Sequence, residues 1–145
     1  MEEKRSKWVE DVLRIITCLK LGVETKALEF QEYSTRYNIS QATCMIGASL
    51  FKAEARYTAV RWIEDILADS TVPEIKQAGS ILEKLRTVRR DIPNTFFLRT
   101  STCAIDNAIV NTQIEARLQM YSYFGGEFSM IECAISDALD AGEIE

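Results

Sequence analysis

The sequence predicts an all-α protein, and three observations lead there. Apolar residues near the start (Trp8, Val9, Val12, Leu13, Ile15, Ile16, Leu19) recur close to i, i+3, i+4, i+7, the spacing of one helix face. Two prolines and six glycines in 145 residues leave long uninterrupted segments, which favours helices over a strand-rich fold with frequent turns. In residues 42–67, small residues (Gly47, Ala48, Ala59) alternate with large ones (Ile46, Leu50, Phe51, Trp62, Ile63, Ile66, Leu67), as close-packed helices require. The expectation is six or seven helices in antiparallel pairs. They form a single domain over 1–145, long enough to bury about 70% of its unfolded surface.

The first helix is expected over 4–21, with Gly22 at its end. A second covers 24–37 and offers Ala27, Leu28, Phe30, Tyr33 and Tyr37 for packing, with Asn38 as a left-handed terminator and Ser40 capping the next helix. The third and fourth span roughly 40–53 and 57–69, joined by a break near Ala53–Arg56. Thr71 followed three residues later by Glu74 reads as a capping box, with Pro73 tolerated in the first turn. A fifth helix then runs from about 72 to 91 and ends at Ile92-Pro93, because proline disfavours helical backbone in the residue before it. Residues 95–102 read as an extended connector or a single turn, with Phe96 and Phe97 plugging the core. A sixth helix is expected over 102–123 and a seventh over 127–141, separated by Gly125-Gly126. A strand at 95–100 in a mixed fold is the remaining alternative.

Composition removes several function classes. Apolar residues at 47% and charged residues at 27% describe a globular chain rather than a disordered one. No apolar run reaches the ~18–20 residues that span a bilayer, so no membrane association is expected. The charged start MEEKRSKW carries no signal-peptide core, and the expected location is cytoplasmic. Histidine is absent, which takes away the commonest general base and metal ligand and excludes Ser-His-Asp and Cys-His catalysis within this chain. The four cysteines (Cys18, Cys44, Cys103, Cys133) form no C-x-x-C pair and read as buried free thiols rather than disulfide or metal partners. The adjacent acids Glu64-Asp65 diverge on a helix instead of converging on a substrate. The chain is therefore expected to be no enzyme, with no catalytic residue, cofactor, metal or small-molecule substrate.

Charge is distributed unevenly. Residues 84–99 hold Lys84, Arg86, Arg89, Arg90 and Arg99 against Asp91 alone, whereas 127–145 holds six acids and no base. The short basic run and the net charge of −5 argue against nucleic acid. A protein contact suits the pattern better, either with a partner or between copies of the chain. Arg86, Arg89 and Arg90 are candidates on the basic side, and Asp137 and Asp140 on the acidic side. Acids at the end of the last helix oppose its macrodipole, so that end is expected to be frayed or held by something basic. Most aromatics are core candidates. Tyr33 and Tyr37, one turn apart, and Tyr121 with Phe124 are the candidates for lining a partner groove.

Gly47, Leu50, Phe51, Ala59, Ile63, Ile66 and Leu67, and again Leu118, Tyr123, Gly126, Phe128, Ala138 and Leu139, resemble the tetratricopeptide-repeat pattern. That pattern places a small residue and a bulky pair in one helix, then a turn, then a small residue and an apolar end in the next. The signature tryptophan of the first helix is missing from both units, and residues 93–102 break the period. A single helical bundle accounts for the same spacing. The resemblance implies paired helices that bind another protein as adaptor or chaperone, in the manner of small acidic bacterial secretion chaperones. The alternative is a self-assembling structural or regulatory protein that uses 84–99 and 127–145 as mutual contacts.

Overall fold

The computed structural model describes residues 5–97, 112, 115, 116, 119, 120 and 126–144, with the backbone alone for 89–97. Among the described residues every regular element is helical. Helix α1 (Lys7–Arg36) is followed by a short α2 (Ile39–Ala42), a single π turn (Thr43–Gly47) and α3 (Ala48–Ala68). Then come α4 (Glu74–Phe97) and α5 (Glu127–Asp140). The all-α class is as expected, but the helices are longer and the breaks fewer.

Gly22 does not end the first helix, which runs through it for 30 residues. A glycine in a helix interior costs only about 1 kcal/mol. That penalty is small beside the packing of so long a helix on its neighbour. Nor is there a break at Ala53–Arg56, where Ala-Glu-Ala-Arg is made of good helix formers with no residue to interrupt them. The two helices expected over 42–67 are one rod.

The irregularity lies earlier, at the π turn. Backbone angles remain right-handed helical at both of its ends (Ala42 φ −59°, ψ −43°; Ala48 φ −62°, ψ −41°), so α2, the π turn and α3 run on continuously. Asn38 is extended (φ −173°) rather than left-handed. It starts the rod instead of only ending α1, its Oδ1 accepting from Gln41 N–H at 2.8 Å.

Helix α4 begins at Glu74 and continues past Pro93 to Phe97. The capping box is not formed. Thr71 donates its N–H and hydroxyl to Asp69 Oδ1, and the Glu74 carboxylate is taken by α1. Pro73 precedes the helix, its carbonyl accepting from the N–H groups of Lys76 and Gln77. The expected helix over 102–123 and the connector beyond Phe97 lie largely outside the described residues.

The two-residue link Tyr37-Asn38 folds the α2–α3 rod back antiparallel along α1. The core occupies one end of this hairpin. Trp8, Val9, Val12 and Ile16 from α1 meet Val60 and Ile63 from α3, and Ala78, Ile81 and Leu85 from α4. Met120 joins them, with Phe128, Ile131, Ile135 and Ala138 from α5 and Ile144 beyond it. Each such large side chain contributes about 1.5–3 kcal/mol on burial.

Two joints close this end. Gln77, almost wholly buried, donates Nε2 to the carbonyls of Ile66 (3.1 Å) and Asp69 (2.9 Å), satisfying acceptors at the end of α3. Helix α5 ends in a Schellman motif, with Glu143 N–H on Ala138 O (2.9 Å) and Gly142 N–H on Leu139 O (3.1 Å). Gly142 is left-handed at φ +70°, and Ile144 then drops into the core. The acidic helix end is therefore held by its own backbone and an apolar anchor, with no basic group needed.

Candidate functional site

Past Ile16 none of the remaining residues of α1 is fully buried, and between 39 and 55 the rod buries only Ala42, Ile46 and Gly47. The far half of the hairpin is thus an arm that carries little core of its own. Of the nine large hydrophobic residues exposed among the described residues, six lie on the arm: Leu21, Leu28, Tyr37, Ile39, Met45 and Phe51. That proportion makes the arm, rather than the body, the candidate interaction surface.

Leu28 on α1 is 62% accessible, and at the tip Ile39 is 70% and Met45 62% accessible. Tyr37, Ser40, Gln41, Cys44 and Met45 line a cavity of about 450 Å³ there. The segment from Tyr37 to Phe51 contains no charged residue, although Arg36 and Lys52 stand at its two ends. The π turn lies in the middle of this uncharged stretch. Gly47 is fitted to it, since a Cβ at this position would meet Thr43 Cγ2 at 3.3 Å.

The arm is tied to the body at its base. Arg56 Nη2 donates to Glu127 Oε2 at 2.9 Å, joining α3 to the first turn of α5. A second cleft of about 380 Å³ opens beside this contact, lined by Arg14, Ile15, Cys18, Leu19, Glu127 and Met130. Near the middle of the rod Lys52 approaches Glu115 at 3.8 Å.

The residues singled out from the sequence fall in different places. Tyr33 and Tyr37 come together at the end of α1, their rings stacked with centroids 5.7 Å apart. Arg86 is exposed on α4, and its neighbour Lys84 sits over the Trp62 ring at 4.4 Å. Arg89 and Arg90 lie on the α4 backbone, with side chains outside the described residues. Tyr121 and Phe124 lie outside them altogether. Asp137 and Asp140 are exposed on the last turns of α5. Among the described residues no ion pair joins these acids to Arg86.

Two expectations need correction. Cys18, Cys44 and Cys133 are exposed rather than buried, because each falls on the outward side of its helix; Cys103 lies outside the described residues. Phe51 is 41% exposed rather than core, because it lies on the part of the rod that buries only Ala42, Ile46 and Gly47. Ile39 and Met45 were missed by the sequence reading. The run of fifteen uncharged residues in a chain that is 27% charged is the signal that could have found them.

Among the described residues there is no cluster of three or more His, Cys, Asp or Glu side chains able to hold a metal ion. None of the described helices is long and apolar enough to cross a membrane. No protein-family model, curated protein or solved structure matches this chain.

Proposed function

We propose that this chain is a non-enzymatic protein-interaction module, an adaptor or chaperone-like protein whose arm receives an apolar helix or extended peptide of another protein. The observation that carries the reading is the concentration of exposed Leu, Ile, Met, Tyr and Phe side chains on the arm. The uncharged stretch from Tyr37 to Phe51 supplies the dry centre of such a contact, while Arg36 and Lys52 supply a polar rim that sets register. The test is a tagged pull-down from native host lysate at physiological salt, comparing the unaltered chain with Ile39→Glu, Met45→Glu and Arg86→Glu. A stoichiometric partner kept by Arg86→Glu and lost by both arm variants is the expected result. The same partner retained by both arm variants would overturn the reading.

A second reading has its own support. Arg86 on one side and Asp137 and Asp140 on the other are exposed and form no ion pair with one another, so they are open to contact between copies. In this reading the chain assembles head to tail through residues 84–99 and 127–145. Sedimentation that depends on concentration and salt, and that Arg86→Glu abolishes, would favour it over the arm.

A further inference from the structure

We draw no further inference here: the strongest candidate, the exposed apolar face of the arm around Leu28, Ile39 and Met45, carries nothing beyond the function proposed above because nothing in the structure shows what covers it.

Discussion

Trp8, buried in the core, donates its indole N–H to the carboxylate of Glu74 at 3.2 Å. The same carboxylate lies 2.6 and 2.8 Å from the Ser6 hydroxyl, so one acid at the start of α4 fastens the start of α1. Glu74→Ala removes the acceptor and leaves a buried N–H unpaired, at a cost of about 1–3 kcal/mol. For a chain of this size the melting temperature falls by roughly 3–10 °C. Thermal unfolding followed by circular dichroism reads this directly. An unchanged midpoint would mean that water replaces the carboxylate.

The contact between Arg56 and Glu127 predicts non-additivity. Arg56→Ala and Glu127→Ala each strand a partly buried charge and should each cost about 1–2 kcal/mol, discounted for the exposure that both groups retain. The double variant should cost less than the sum by about 1 kcal/mol. Urea unfolding of the four proteins supplies the cycle. Strict additivity would show that the two side chains do not hold each other in solution.

Glycine-to-alanine replacement should have opposite signs at two positions. At Gly22 a Cβ meets nothing within 4 Å and the backbone is helical, so Gly22→Ala should stabilise by about 0.5–1 kcal/mol. At Gly142 the space is equally open, but φ is +70°, and Gly142→Ala should destabilise by about 1 kcal/mol. A destabilising Gly22→Ala would contradict the helix running through Gly22, and a stabilising Gly142→Ala the left-handed turn at Gly142.

Asp69 predicts a pH dependence. The Thr71 hydroxyl, and then the Thr71 N–H, hold its carboxyl below the ordinary value of 3.8. A group with a depressed folded pKa contributes stability that is complete above its unfolded pKa. That contribution is lost as pH falls through the folded value. Asp69→Asn should therefore flatten the stability profile below about pH 4 and leave its slope near neutrality unchanged. Matching acid limbs in the two profiles would show that the turn is open in solution.

Burial confined to one end of the hairpin predicts a gradient of protection. Amides of α1 around Val12 and Ile16 should exchange near the rate of global unfolding. Those from Leu21 to Phe51 should exchange faster by tenfold or more. Hydrogen–deuterium exchange by mass spectrometry measures both. Uniform protection along α1 would mean that the arm is covered in solution.

Much of this was legible in the residues. The amphipathic start of α1, the helix from Glu127 and the core positions Val12, Ile63, Ile81 and Leu85 follow from apolar spacing alone. The breaks did not, because Gly22 and Pro93 are local signals and both were overridden by long helices around them. Thr71 and Glu74 fit a capping box in sequence, yet each found other partners, Thr71 in Asp69 and Glu74 in Ser6 and Trp8, far away in the chain. Exposure on the arm was the hardest feature to read. Apolar periodicity says that a face is apolar, but it cannot say whether anything in the same chain lies against that face.

The π turn at Thr43–Gly47 has a consequence for how the rod is phased. Each residue added to a helix rotates everything beyond it by about 100°, and a π turn absorbs one such residue within a single turn. The direction in which Cys44 and Met45 point is thereby indexed separately from that of Val60 and Ile63. A single deletion there would turn the π turn into an ordinary α turn, leaving the tip and the other end of the rod each facing as it does now.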